Sequence, residues 1–170
     1  MRPFILLLCI AIFSSSCKQE PQKPLVFGTN IGDYAPTFTA KTPEGTDLSL
    51  GDINAKIIIL DFWASWCGPC RRENPNVVKM YDKYHDKGLE IVGISLDKAG
   101  QKNRWLNAIK QDKLTWKHLS NLQGWQEPIA QTYGVRSIPA TYILDGDGKI
   151  IAKNLRGQAL ENKVAEILEN

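Results

Sequence analysis

The chain has 170 residues, 43% of them hydrophobic and 23% charged, with 21 Lys and Arg against 18 Asp and Glu and a formal net charge of +3. A chain of this size and balance suits one domain with a proper core. Its densest basic run is the pair Arg71-Arg72, so nucleic-acid binding has no electrostatic support, and no internal repeat is present.

The N-terminus comes first in chain order. Arg2 gives a short positive start, Phe4 to Phe13 an apolar stretch, Ser14-Ser15-Ser16 small residues, and then Cys17 follows. The apolar stretch is too short to span a bilayer as an ordinary helix. This order resembles a bacterial lipoprotein signal, in which cleavage falls just before a cysteine that carries the lipid. Ser14 stands where that pattern prefers an aliphatic residue. The alternatives are an ordinary signal peptide cleaved near the serines and an uncleaved anchor. The expected division is a signal over 1–16, a lipidated Cys17 with a tether over 17–30, and a domain over 31–170. Polar residues between Lys18 and Lys23, with Pro21 and Pro24 nearby, fit the tether. Lys18 stands where many inner-membrane lipoproteins carry Asp, which points to the outer membrane. Without the signal, 20 of the 21 basic residues remain against 18 acidic ones, and the mature chain is close to neutral.

Phe38 to Ala40 and Asp47 to Leu50 flank Thr42-Pro43-Glu44-Gly45, a hairpin signal. Lys56 to Trp63 carries the Ile and Leu run of a strand covered on both faces. Pro69 to Lys87 reads as a long helix with Val77, Val78, Tyr81 and Tyr84 inward, a kink at Pro75 and a stop at Gly88. Leu89 to Leu96 is a second buried strand. Gln101 to Lys110 is a helix held by Trp105, Leu106 and Ile109. Leu114 to Gly124 is irregular or a short strand. Glu127 to Tyr133 is a short helix stopped by Gly134. Thr141 to Leu144 and Ile150 to Lys153 form a hairpin across Asp145-Gly146-Asp147-Gly148. Leu160 to Leu168 closes the chain as an amphipathic helix. This order predicts an α/β fold, a central mixed sheet with helices on both faces.

Between the first long strand and its helix lies Cys67-Gly68-Pro69-Cys70. Cys67 falls where free helix N–H groups and the macrodipole favour thiolate over thiol. Cys70 is placed to attack a mixed disulfide formed by Cys67. The spacing and setting point to a redox pair. A structural zinc site needs about four ligands, and His85 and His118, the only histidines, are not spaced as a ligand pair; each is expected at the surface. No metal is expected. Trp105, Trp116 and Trp125 are expected in the core.

Asp61 to Cys70 resembles the active-site segment of thioredoxin, and Ser137-Ile138-Pro139-Ala140-Thr141 resembles its cis-proline loop. Arg72-Glu73-Asn74-Pro75, the long segment between Leu96 and Ser137, and the N-terminal hairpin after Gly32-Asp33-Tyr34-Ala35-Pro36 are closer to the TlpA/ResA branch of membrane-tethered thiol–disulfide oxidoreductases. The resemblance implies a thioredoxin-like fold with an N-terminal hairpin and a central insertion. It implies that Cys67 attacks and Cys70 resolves, closing a Cys67–Cys70 disulfide. Pro139, by residue type alone a plain trans proline opening a strand, becomes the cis-proline facing that disulfide, and Ile138 pairs with an extended substrate segment. Trp66, Gly68 and Pro69 complete the substrate-facing surface.

Two carboxylates are proton-handling candidates. Asp61, otherwise a polar residue near a strand end, matches a buried acid that assists the resolving thiol, and burial should raise its pKa. Glu73, otherwise a solvated carboxylate beside Arg72 or Lys79, shares a helix side with Cys70 and matches a residue that tunes the pair in the ResA branch. The implied function is reduction of protein disulfides in the bacterial cell envelope with no cofactor. The implied partners are disulfide-bearing envelope proteins and a membrane thiol–disulfide electron donor, and the chain is expected to be a monomer, lipid-anchored and facing the periplasm. The alternatives are a peroxiredoxin-like thiol peroxidase, a disulfide-introducing oxidase and a copper(I)-holding dithiol module. Against the first, Ala64 stands three residues before Cys67, where peroxidases of that type carry Thr.

Overall fold

The computed structural model describes residues 25–169, so the signal and Cys17 lie outside the described residues. Two strands, β1 (Thr39–Lys41) and β2 (Asp47–Ser49), form an antiparallel hairpin. The main sheet holds β3 (Ile57–Trp63), β4 (Leu89–Ser95), β5 (Lys117–Leu119), β6 (Ala140–Asp145) and β7 (Ile150–Lys153) in the order β5-β4-β3-β6-β7. Strands β3, β4 and β5 run parallel; β6 is antiparallel to both β3 and β7. β3 and β4 are buried at every residue, as suits mostly apolar strands at the centre of a sheet covered on both faces, with Asp61, Glu90 and Ser95 as the buried polar exceptions.

The helices are α1 (Gly68–Tyr84), α2 (Lys102–Gln111), α3 (Pro128–Thr132) and α4 (Gly157–Leu168). Helix α1 continues unbroken through Pro75, and a short 3-10 turn carries it to Gly88, whose φ of 112° suits glycine. Its inner face is Cys70, Asn74, Val77, Met80, Tyr81 and Tyr84, with Val78 only half-buried. Cys70, Asn74, Val77 and Leu160 of α4 meet Ile59, Asp61 and Thr141 on one side of the sheet. On the other side Phe62 packs with Tyr133 and Tyr142, and the Tyr142 hydroxyl donates to the Tyr133 carbonyl at 2.6 Å.

Three expectations need correction. Helix α4 begins at Gly157 rather than Leu160 because its first N–H is received by Glu73 Oε1 at 2.6 Å, a cap supplied by another helix and invisible to local patterning. His118 is buried, not superficial: it lies on β5 between Trp63 and Trp116, with ring centroids 5.7 and 5.8 Å away. Trp105 and Trp116 are buried as expected, but Trp125 is 41% exposed. It sits on a 3-10 turn, Gly124–Gln126, with its ring 6.4 Å from that of Trp66.

The stretch before Ile31, read as tether, makes backbone contacts with the domain. Tyr34 N–H donates to Val26 O at 2.8 Å and Gly28 N–H to Tyr34 O at 3.0 Å.

Candidate active site

The C-terminal end of β3 delivers Ala64 to Cys67 into the first turn of α1. Such strand ends are where open α/β sheets build their sites. The turn is held from two sides. Asp97, fully buried just after β4, receives the Ser65 N–H at 2.9 Å, the Ser65 hydroxyl at 2.5 Å and the Ser95 hydroxyl at 2.7 Å. Arg71 donates to the Ser65 carbonyl at 3.3 Å while pairing with Asp112, which also receives the Asn74 amide at 2.6 Å. A buried carboxylate with several donors is stable where an isolated one is not.

Cys67 is the N-cap of α1, and its Sγ accepts the Cys70 N–H at 3.2 Å. This is the position where a cap side chain satisfies an orphan helix donor. Pro69, in the first turn, lacks an N–H that would have no helical partner there. Cys67 and Cys70 are joined as a disulfide with Cα atoms 5.3 Å apart. Both are nearly covered, at 4% and 1% exposure, while Gly68 and Pro69 between them are exposed and Trp66 is half-buried. The Ile138–Pro139 peptide is cis, and Ile138 O lies 3.9 Å from Cys67 Sγ. The half-buried Ile138 thus presents its backbone beside the sulfur.

Beneath the disulfide, Asp61, Cys70, Glu73, Pro139 and Arg156 line one cavity. Asp61 is 7% exposed. Burial raises its pKa to about 7, the Glu73 charge adds to the rise, and the Arg156 charge opposes it. A carboxyl so poised exchanges protons near neutral pH. Glu73 does not pair with Arg72 or Lys79; it points to Gly157 and also receives the Asn76 amide at 3.4 Å. Arg156 donates to the Pro139 carbonyl, so one guanidinium touches the cis-proline loop and biases Asp61.

The geometry therefore gathers Asp61, Cys67, Cys70, Glu73, Ile138 and Pro139 in one place, with Trp66, Gly68 and Pro69 on the rim. Sequence reasoning missed Asp97, Asp112, Arg156 and Trp125. Asp97 had a signal: an acid directly after a buried parallel strand. Arg156 had none, because its place is fixed by the packing of α4.

The AhpC/TSA family model matches residues 31–153. Thiol-disulfide oxidoreductase ResA of Bacillus thuringiensis subsp. konkukian is 33% identical over 139 residues, covering 82% of this chain and 77% of its own. The thioredoxin-like protein YneN of Bacillus subtilis is 38% identical over 124 residues, covering 72% and 70%. Among solved structures, a thiol-disulfide oxidoreductase from Bacteroides fragilis matches with a TM-score of 0.74 at 32% identity, covering 80% of this chain and all of that one. The thioredoxin domain of a thiol-disulfide oxidoreductase from Bacteroides vulgatus matches with a TM-score of 0.74 at 32% identity, covering 82% and 98%. Together with the disulfide on the first turn of α1, these likenesses settle the class: the chain belongs to the AhpC/TSA family, with a thioredoxin-like fold, and is a thiol–disulfide oxidoreductase.

Proposed function

We propose that the protein reduces disulfides of envelope proteins and is itself re-reduced by a membrane thiol–disulfide donor. The observation that carries this reading is the convergence of Asp61 and the cis-proline loop on the two cysteines. In the reduced form, the Cys67 thiolate is stabilised by the Cys70 N–H and the helix terminus. It attacks one sulfur of a substrate disulfide, forming a mixed disulfide and releasing the other sulfur as thiolate. Asp61 carboxylate accepts the Cys70 proton. The Cys70 thiolate attacks Cys67 Sγ, closing Cys67–Cys70 and expelling the second substrate thiolate. Two electrons pass to the substrate. The Ile138 backbone and the Trp66 ring hold the substrate segment against the sulfurs.

Cys17 carries the anchor in this reading, and the domain faces the periplasm as a monomer. The supporting features are the short apolar stretch, the serines and the cysteine in that order. An oxidising compartment is compatible with a reductase, because direction follows the potentials of the partners.

The test is trapping. Cys70→Ser should accumulate covalent adducts through Cys67 when mixed with a disulfide-bearing protein, and Cys67→Ser should trap far less. Equal trapping by both variants would contradict ordered attack and resolution.

A further inference from the structure

Among the described residues, five large apolar side chains are exposed, and four of them fall within one short stretch: Leu25 at 62%, Val26 at 53%, Phe27 at 62% and Ile31 at 64%. Scattered exposed apolar residues are ordinary; a cluster marks a contact surface. This cluster is held in place. Its backbone is tied to Tyr34, and the following segment hydrogen-bonds to β7 through Gly32 N–H to Ile150 O and Ile150 N–H to Asp33 O, at 2.8 and 2.9 Å. The Phe27 and Tyr34 ring centroids are 6.0 Å apart.

Its position in the fold is informative. Phe27 shares a depression with Ile53, Ile58 and the Gly146–Gly148 turn, at the end of the sheet where β3 begins and β6 ends. The disulfide lies beyond the other end, where β3 ends and β6 begins. From Ala140 to Asp145 the chain advances by roughly 17 Å, so the cluster and the sulfurs occupy opposite poles.

We infer that Leu25, Val26, Phe27 and Ile31 form a lipid-contacting face that seats the domain on the bilayer with its disulfide pointing away. Seven residues lie between Cys17 and Leu25, so eight Cα-to-Cα steps give a reach of at most roughly 26–29 Å. An anchor at Cys17 therefore holds this face, rather than the distal pole, close to the membrane; the proximity argument rests on the lipoprotein reading above. The nearby charges make no basic patch, since Lys149 and Lys153 stand among Asp33, Asp145 and Asp147. The contact is thus apolar insertion at the interface rather than attraction to anionic headgroups.

The test uses the full chain purified from membranes and placed in phosphatidylethanolamine–phosphatidylglycerol vesicles containing a headgroup-region nitroxide lipid. A fluorescent amino acid replaces Ile31 in one sample and Gln126, at the active-site pole, in another. Mass analysis of the Cys17 peptide reports the anchor separately. The expected result is loss of most fluorescence at position 31, none at 126, and no change on adding salt. Leu25→Ser, Val26→Ser and Phe27→Ser together should abolish the loss at 31 while the protein stays vesicle-bound. A lipidated Cys17 with no quenching at 31 would overturn the seating and leave the anchor intact. Quenching at 31 without lipid on Cys17 would sustain the face and sink the anchor; neither signal would sink both. Equal quenching at both positions would overturn the orientation. A buried emission at 31 without vesicles, with a dimeric mass by light scattering, would assign the face to a second copy instead.

Discussion

Glu73 and Gly157, 84 residues apart, are joined by a 2.6 Å hydrogen bond that lets one carboxylate do two things. It closes the N-terminus of α4, and its charge adds to the rise in the Asp61 pKa. The two effects separate by substitution. Glu73→Gln keeps an acceptor for the Gly157 N–H but removes the charge, so the Asp61 pKa should fall from about 7 with little change in stability. Glu73→Ala removes both and should cost about 1 kcal/mol, the usual value of a lost cap. Titration of the Asp61 carboxyl by NMR and urea denaturation of the oxidised protein check the two arms.

Asp61 works against the stability of its own fold. Its folded pKa, about 7, lies above the ordinary 3.8, so the folded state holds this proton more tightly than the unfolded chain. That contribution is complete below pH 3.8 and is lost as pH rises through 7. Asp61→Asn should therefore stabilise the oxidised protein at pH 8 by up to roughly 4 kcal/mol and leave it nearly unchanged at pH 3.5. On the proposed mechanism the same variant should also slow exchange near neutral pH, because Cys70 would lose its proton acceptor. Equal unfolding midpoints for wild type and variant at pH 8 would remove the burial argument.

His118 gives the opposite slope. Neither ring nitrogen makes a hydrogen bond of good geometry, and burial lowers its pKa to about 4 against the weaker upward pull of the Leu114 backbone and Glu44. The unfolded chain takes up this proton below pH 6.5 and the folded state does not until about 4. Stability present above 6.5 is lost on acidification through that window, by about 3 kcal/mol. His118→Leu should flatten this part of the stability profile, as followed by denaturation at pH 7, 5.5 and 4.5.

Trp125 stands beside Trp66 at the rim of the site with its ring exposed, which suits an apolar surface for protein substrates. Trp125→Ala should raise KM for a protein disulfide while leaving the rate with a small aromatic disulfide unchanged. An equal loss with both substrates would show that the substitution disturbs Cys67 itself.

The sequence revealed the elements whose signals are local. The Ile and Leu runs of β3 and β4, the glycine at position 88 and the hairpin over Asp145 to Gly148 each state their structure within a few residues. The pairing of Cys67 with Cys70 was legible for the same reason. What was hidden depends on long-range packing. Nothing near Gly157 announces a helix start, because its cap comes from α1. Nothing near His118 announces burial, because Trp63 and Trp116 close over it from other positions. Trp125 was misjudged since an aromatic residue in a long insertion is usually core, and here a 3-10 turn carries it outward. Asp61 and Glu73 line one cavity with Cys70 and Arg156, a juxtaposition set by packing between β3, α1 and the start of α4 that no local pattern states.

The backbone ties between residues 32–35 and β7 have a consequence for solubility. A bare outer strand offers a row of open donors and acceptors on which another chain can add. Here Gly32 and Asp33 take up the outward carbonyl and N–H of Ile150 at the start of β7, and Ala35 N–H donates to the Gly148 carbonyl just before it. A version shortened past Ala35 should keep its redox centre but expose a templating edge. Such a protein should aggregate in a concentration-dependent way, with a rising cross-β signal, while the longer chain stays dispersed. The segment that leads into the domain is thus also a seal on the start of β7, one of the two outer strands.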